Sequence, residues 1–382
     1  FQNNISYKVT NTTTLDLHLN AQINQNKGPR ESTQDIFGSV YTANPVDFPA
    51  FFPAQEGDNH IRFGNKLMQS GTRKTNPYAG LLDDYAETNS NTLNASLKLD
   101  QRFDFITEGL GLTALVNWKN WSSSTYYKGQ TPYFYQVDDA TWDASTPDVY
   151  DLEYVGDLGQ DFVTTSGPDK SQDQTFYFDA RLTYDRTFGK HAVSGLLMYM
   201  MREYRLSVLP ERNQGLSGRA TYGYDDRYFV EFNFGYNGTE RFEKGRRFEF
   251  FPAVSAGWVP SNESFWGSAS NAISYLKIRG SYGHIGSDGF GGEHFVYYDT
   301  IILGGSASYT SGPSYNGNYP IITSQGVGIG GYAVENPRWE RSRKMDIGVD
   351  ATLFKQLDIT FDYFFEWRDR IMMQRGSWPQ IM

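Results

Sequence analysis

The residues best suited to contact a ligand form an aromatic cluster in one long predicted loop, residues 122–173. The ring-bearing members are Tyr126, Tyr127, Tyr133, Phe134, Tyr135 and Trp142, and the carboxylates of Asp138 and Asp139 lie close by in the sequence. Aromatic rings stack on sugar rings or grip peptide side chains, and carboxylates accept hydrogen bonds. We therefore predict substrate contact by these eight residues. The alternative is that the rings pack against neighbouring loops, because a long structured loop needs a small core of its own.

Signals for catalysis are weak. The five histidines, at positions 18, 60, 191, 284 and 294, lack metal-ligand spacing. The glycine-rich segments 286–292 and 326–331 open no amphipathic helix after a buried strand, so we predict loops there and no phosphate cradle. With no cysteine, the chain has no disulfide, thiolate metal site or cysteine nucleophile. We expect no enzyme activity, no catalytic residues, no cofactor and no metal site.

Three pairs of adjacent aspartates allow two interpretations: Asp83-Asp84, Asp138-Asp139 and Asp225-Asp226. Paired carboxylates can help to hold a hard cation, whereas aspartates are also typical of turns and surfaces. We predict turn or surface roles for all three pairs, with the third inside a hairpin loop.

The elements that position these residues are predicted to be β-strands. Aromatic residues make up 16% of the chain, and 38 glycines accompany them, which favours strands joined by turns. No segment approaches the roughly 18 consecutive apolar residues of a membrane helix. The net charge of -10 argues against nucleic acid as a partner. The fold class predicted from composition is all-β.

Apolar residues alternate with polar ones in most of these strands. From residue 218 to 238 eight apolar side chains occupy even positions, and their parity is kept across residues 225–227. The same holds across residues 354–356 near the end of the chain. Preserved parity predicts three-residue hairpin loops, with Tyr224 opposite Tyr228 and Lys344 opposite Glu366. About twelve segments qualify as strands of this kind.

Short and long connections between the strands alternate along the chain. This arrangement is typical of an outer-membrane barrel with short periplasmic turns and long extracellular loops. If the polar face pointed outward, several charged residues would meet lipid, at roughly 2–4 kcal/mol for each Lys or Arg near the midplane. In a barrel the apolar face must therefore be outside. A soluble β-sandwich or propeller with an aromatic core remains the alternative, because alternation alone fits both.

Several motifs in order resemble one family. They are the segments FPAVSAGW at 251–258, LKIRGSYG at 276–283 and ENPRWE at 335–340, the last leading into the strand at 345–354. Together they resemble the barrel of SusC/RagA-type TonB-linked outer-membrane proteins, closely from residue 217 to about 373. The resemblance implies a 22-stranded antiparallel transmembrane β-barrel in the Gram-negative outer membrane, facing outer-membrane lipid.

The resemblance also implies a plug domain, a TonB-interacting segment and a SusD-like surface lipoprotein that acts as a lid. We expect residues 1–382 to be a partial barrel domain, with the plug domain and the TonB box not covered. The implied function is active, TonB-coupled import of oligosaccharides, glycan fragments or oligopeptides. The alternatives are a transporter-shaped scaffold subunit of a larger outer-membrane complex, a passive porin and a soluble carbohydrate-active enzyme. A homodimer or a larger complex is left open.

Overall fold

The structure is a computed structural model that describes residues 1–68, 71–206, 208–289, 295–311 and 322–372. Residues 305–311 and 322–325 are described by their backbone alone. The chain divides into two compact units, of which the first comprises residues 1–2, 19–94 and 119–174. The second comprises residues 3–18, 95–118 and 175–382. Among the described residues, no helix has the length and apolar character needed to cross a membrane.

Strands dominate the part of the chain that the structure describes. They are β1 (Gln2–Lys8), β2 (Thr13–Pro29), β3 (Arg62–Gly64), β4 (Asp84–Arg102), β5 (Leu110–Gly129), β6 (Tyr133–Val137), β7 (Leu152–Tyr154), β8 (Thr164–Phe188), β9 (His191–Arg205), β10 (Glu211–Tyr224), β11 (Tyr228–Thr239), β12 (Phe248–Trp258), β13 (Ile273–Ser287), β14 (Thr300–Ser311), β15 (Ile322–Gly331), β16 (Glu340–Leu353) and β17 (Leu357–Asp369). Two helices, α1 (Thr33–Thr42) and α2 (Pro77–Leu82), precede β4. Two short 3₁₀ turns, Pro260–Asn262 and Gly267–Asn271, connect β12 to β13.

One sheet of 12 strands follows the order β1-β2-β4-β5-β8-β9-β10-β11-β12-β13-β16-β17. The hairpin β14-β15 and the small sheet β3-β6-β7 stand apart from this order. The all-β fold class is confirmed, and the twelve strands of the main sheet match the number predicted.

Both predicted three-residue hairpins are confirmed. Tyr224 pairs with Tyr228, and Lys344 pairs with Glu366. In the first turn Asp225 and Asp226 both have φ of 53°, a left-handed conformation that aspartate tolerates better than most residues. Because each turn has an odd number of residues, the apolar set stays on one face of both strands.

Among the described residues, large apolar side chains on one face of the main sheet are exposed. Phe232 on β11 stands opposite Ala220 on β10 and Val254 on β12, so all three share this face. Phe232 is 45% exposed and Phe361 on β17 is 64% exposed. A soluble sheet would bury such side chains, whereas a membrane barrel presents them to lipid. The exposure of these side chains therefore agrees with the prediction that the apolar face of the sheet points outward.

The opposite face carries a cluster of charges around Arg279 on β13. Its guanidinium lies 3.2 Å from Asp346, 3.1 Å from Asp350 and 2.6 Å from Asp362. A Cβ atom at Gly348 would lie 2.6 Å from the Arg279 Cζ atom, so a side chain there would require the Arg279 guanidinium to shift. The cluster joins β13, β16 and β17, and its four side chains are partly exposed, so the face that they share is in contact with water.

Three buried side chains pack together beside the long connections of the second unit. They are Phe242 in the connection between β11 and β12, Phe251 on β12 and Trp339 just before β16. The Trp339 ring centroid lies 5.6 Å from that of Phe242 and 5.5 Å from that of Phe251. The indole Nε1 of Trp339 donates a 3.0 Å hydrogen bond to the Arg247 carbonyl. This cluster fixes two connections to the sheet.

Two predicted long loops are shorter than expected. The loop predicted at residues 122–173 spans only 130–163, because β5 extends to Gly129 and β8 begins at Thr164. The turn-forming residues at 203–216 also predict a long connection, which is reduced to the five residues between Arg205 and Glu211. At about 3.3 Å per residue, the 25 residues of β8 span roughly 80 Å, far more than an apolar band of about 25 Å. In a membrane barrel, a strand of this length would continue well beyond the lipid.

Candidate functional site

The candidate site lies in the first compact unit, which contains α1, α2 and the sheet β3-β6-β7. In the small sheet β3 pairs with β6 in parallel, and β6 pairs with β7 antiparallel. The pairing aligns Arg62, Phe63 and Gly64 with Tyr133, Phe134 and Tyr135. The sheet thus brings two segments from distant parts of the sequence together.

Two buried asparagines order the segments around this sheet. Asn76 caps α2 by accepting hydrogen bonds from the backbone N–H groups of Tyr78 and Ala79, and its amide donates to the carbonyls of Ala50 and Gly64. The Asn65 amide donates to the Lys74 carbonyl and its oxygen accepts from the Lys74 N–H. Because buried polar groups are costly when unpaired, these fully bonded side chains act as joints between loops.

One close backbone contact also holds these segments together. A Cβ atom at Gly64 would lie 2.0 Å from the Pro49 carbonyl oxygen, so any larger residue would push the two segments apart. Phe48, Phe52 and Phe63 are buried beside it. The connection between β2 and β4 is therefore a packed structure with a core of its own.

The rings of β6 lie on two faces. On one face the His60 ring stacks on Tyr133 at 3.8 Å between centroids, and its Nε2 atom is 2.8 Å from the Tyr135 hydroxyl. The Tyr154 ring lies 4.8 Å from that of Tyr135. Burial and the hydrogen bond with Tyr154 raise the pKa of Tyr135 above its usual range. On the other face, the Arg73 guanidinium stacks over the Phe134 ring at 4.9 Å.

The eight residues predicted to contact substrate occupy different environments. Tyr126 and Tyr127 belong to β5, and Tyr133, Phe134 and Tyr135 belong to β6. Tyr135 is only 5% exposed, whereas Trp142 is 50% exposed. Asp138 and Asp139 follow β6, and an Asp138 carboxylate oxygen accepts a hydrogen bond from the Ala140 N–H. Tyr133 and Tyr135 are brought together with His60, and substrate contact by the eight residues stays a prediction.

A cavity of about 260 Å³ lies beside Phe134. Its floor is formed by the buried residues Asn65, Asn76 and Ala79, and its exposed lining residues include Glu31, Arg73 and Thr75. The remaining lining residues are Lys74, Gly80, Asp83, Asp84, Gln130, Pro132 and Phe134. Carboxylates, cations and an aromatic ring therefore meet around a space large enough for a small organic group.

Asp83 stands out in the lining of this cavity because one of its carboxylate oxygens lacks a hydrogen bond. Its Oδ2 atom is buried and has no hydrogen-bond partner. Burial, with the neighbouring charge of Asp84 as a second cause, raises the pKa of Asp83 to about 7. Near neutral pH the carboxyl group is thus divided between its neutral and ionised forms.

Asp83→Asn is expected to stabilise the first unit at pH 8. Because the folded-state pKa of about 7 exceeds the ordinary 3.8, the folded unit binds this proton more tightly than the unfolded chain. The neutral Asp83 carboxyl group contributes to the free energy of unfolding at low pH, and this contribution is lost as the pH rises from 3.8 through 7. After allowance for the partial exposure of Asp83, the asparagine amide should raise the free energy of unfolding of the first unit by about 1–2 kcal/mol at pH 8 and by little at pH 4.

Hydrogen exchange of the unit's amides at the two pH values measures this effect. The exposed Asp157→Asn is the matched control, since it removes the same charge outside the cavity lining. A gain at pH 8 that is equal in both variants would contradict a special role for the Asp83 carboxyl group.

The residues that sequence reasoning missed are Arg73, His60 and Tyr154, and it assigned Asp83 to a turn. Two features noted in the sequence lie in this cavity, the adjacent pair Asp83-Asp84 and Phe134 of the predicted aromatic cluster, and Asp83 is the C-cap of α2. Among the described residues no group of three or more His, Asp or Glu side chains could hold a metal ion. The second glycine-rich segment, residues 326–331, was predicted to be a loop but lies in β15, where it pairs with β14. His294 and residues 290–292 of the first glycine-rich segment lie outside the described residues.

Comparison with known proteins places this architecture among outer-membrane receptors. No protein-family model matches the chain. TonB-dependent receptor P3 of Formosa agariphila is 30% identical over 151 residues, which cover 38% of this chain and 13% of the receptor. TonB-dependent receptor SusC of Bacteroides thetaiotaomicron is 25% identical over 295 residues, or 75% of this chain and 28% of SusC.

The fold is also found among solved structures. The RagAB peptide transporter matches with a TM-score of 0.55 and 15% identity, over 95% of this chain and 39% of that chain. This likeness, with the SusC match, confirms the predicted resemblance to SusC/RagA-type proteins, the barrel fold class and the outer-membrane location. The relatives are receptors and transporters by name, and this chain spans only a fraction of their length.

Proposed function

We propose that this chain, as part of a SusC/RagA-type outer-membrane protein, forms barrel wall and extracellular loops of an active importer. The whole of residues 1–382 then belongs to the barrel domain, and the wall lines a water-accessible path with its charged face. The observation that carries this proposal is the two-faced main sheet, with exposed aromatic residues on one side and the Arg279 cluster on the other.

The cargo is an oligosaccharide, a glycan fragment or an oligopeptide. The peptide class is supported by RagAB, which is named as a peptide transporter, and by a fold shared over most of this chain. The aromatic and charged groups of the first unit offer stacking surfaces and hydrogen-bond partners to either class. We place cargo capture in this unit.

The partners follow from the same relatives. A SusD-like surface lipoprotein closes over the extracellular loops as a lid, and TonB supplies the energy for import through a region that precedes the barrel. Binding at the cell surface and passage through the wall need no covalent chemistry from these residues. The barrel positions and selects the cargo, and the TonB system of the inner membrane supplies the energy for transport.

Gentle purification of the native protein, followed by identification of its companions and an uptake assay, tests this proposal. A single lid lipoprotein together with TonB-dependent uptake of labelled peptides or glycans is the expected result. Several unrelated proteins and no uptake would support a scaffold role in its place.

A further inference from the structure

We infer that the cavity beside Phe134 binds a protonated primary amine of the cargo, which pairs with the Asp83 carboxylate and is attracted by the carboxylates of Glu31 and Asp84 in the same lining. This inference rests on the proposed import function and narrows its substrate class. It assigns a ligand chemistry to a site that lies mostly outside the predicted contact residues, of which only Phe134 lines it.

The charges around the cavity select a cation. Three carboxylates and two basic side chains line it, but the Lys74 ammonium is paired with Asp47. The Arg73 guanidinium lies over the Phe134 ring, with its Cζ atom 4.9 Å from the ring centroid. The three carboxylates thus face a single uncommitted cation, and an additional positive charge is favoured.

The unpaired Asp83 oxygen indicates what the ligand must supply. A buried carboxylate oxygen without a donor is costly, and a charged N–H donor removes that cost while favouring the ionised form. The acids do not converge into a set that could hold a metal ion among the described residues. Their spread around about 260 Å³ suits an ammonium group carried on a larger molecule.

The opposite side of the cavity can take the rest of such a molecule. Phe134 and Pro132 offer apolar surface, while Gln130 and the exposed Thr75 offer hydrogen bonds. A lysine-containing peptide and an oligosaccharide of amino sugars both carry a primary amine on a body of this kind. The shared chemistry is the amine, and the two sources are distinguished by experiment.

Binding should depend on pH through Asp83, whose environment includes Asp84 on β4, Glu31 before α1, and Arg73 and Lys74 before α2. The ionised carboxylate is needed to pair with the amine, and its pKa in the free protein is about 7. A lysine side chain keeps its charge up to a pH of about 10. Affinity should therefore fall as pH is lowered from 8 to 5.5.

Calorimetric titration of the full-length protein in detergent tests the inference with two matched pairs of probes. One pair is a lysine-containing peptide and its Nε-acetylated form, and the other is a glucosamine oligomer and its N-acetylated form. At pH 7.5 we expect the free amine of one pair to bind about tenfold or more tightly than its acetylated form. The pair that shows the difference identifies the source of the amine.

Two variants keep the result interpretable. Asp83→Asn should bring the free amine to the affinity of the acetylated probe and abolish the loss on acidification, while Asp157→Asn should leave both unchanged. Hydrogen exchange confirms that both variants are folded. If the protein captures peptide or glycan but does not distinguish free from acetylated amines, the inference is wrong and the import function stands. If no probe binds and uptake is also absent, both fail.

Discussion

Phe232→Lys is expected to prevent assembly of the barrel in the outer membrane. Phe232 lies four residues beyond Tyr228, the first residue of β11, or about 14 Å along the strand, near the middle of an apolar band about 25 Å tall. An outward lysine at that depth costs roughly 2–4 kcal/mol. Natural folding stabilities are only about 5–15 kcal/mol, so a large loss of folded yield should follow.

Asn233→Lys is the control, because the neighbouring residue on the same strand receives the same new side chain on the opposite face. Asn233 lies beside Glu231, and its amide already donates to the Glu231 carboxylate. A lysine there meets a carboxylate and water, so assembly should be close to that of the unchanged protein. Heat-modifiable mobility of outer-membrane fractions measures both variants. Equal yields would contradict the face assignment.

Trp339→Ala is expected to loosen the connections before β12 and β16 without unfolding the main sheet. Trp339 is 6% exposed and packs against Phe242 and Phe251. Truncating a buried tryptophan typically costs 3–5 kcal/mol, and here the Arg247 carbonyl would also lose its indole donor. Limited proteolysis should cleave the variant within residues 240–247 or just before Glu340.

Trp339→Phe separates packing from hydrogen bonding in this cluster. It keeps a ring against Phe242 and Phe251 but removes the indole N–H, at a cost of about 1 kcal/mol. The rate of cleavage should therefore lie between those of the unchanged protein and the Trp339→Ala variant. If the alanine variant resisted protease as well as the unchanged protein, the cluster would not hold these connections.

The strand pattern and the hairpin registers were open to prediction because the two faces of the sheet meet different solvents. Lipid against water gives the strongest alternation that a sequence can carry, and an odd turn preserves it across a hairpin. The segment His191–Met201 is apolar on both parities, so its faces could not be assigned from sequence. Its pairing with β10 settles them, since Leu197 stands opposite Gly218 and Tyr199 opposite Leu216.

Strand ends were predicted poorly for a physical reason. β4, β5 and β8 continue past the apolar band, where both faces of a strand meet water or protein and the alternation disappears. The segment Ser122–Gly129 therefore read as loop although it completes β5. Hydrogen bonding between neighbouring strands keeps such segments extended, and a single sequence carries no sign of it.

The cavity was hidden from sequence because its residues are far apart along the chain. Glu31, Arg73, Asp83 and Gln130 meet only after Asn65 and Asn76 have joined their loops. The aromatic cluster at β6 was visible as a run of rings, but its division between two faces follows from the strand that carries it. The run of aromatic residues therefore locates the β6 cluster in the sequence, but the contacts of each ring follow only from the folded structure.

The central claim is that the apolar face of the main sheet contacts lipid and the charged face encloses water. Because this sequence contains no cysteine, single cysteines can be placed at Val230, Glu231, Phe232 and Asn233 and spin-labelled in reconstituted full-length protein. Labels at 230 and 232 should relax with lipid-soluble oxygen, and labels at 231 and 233 with a water-soluble nickel complex. Water accessibility at all four positions, or the reverse alternation, would contradict the account.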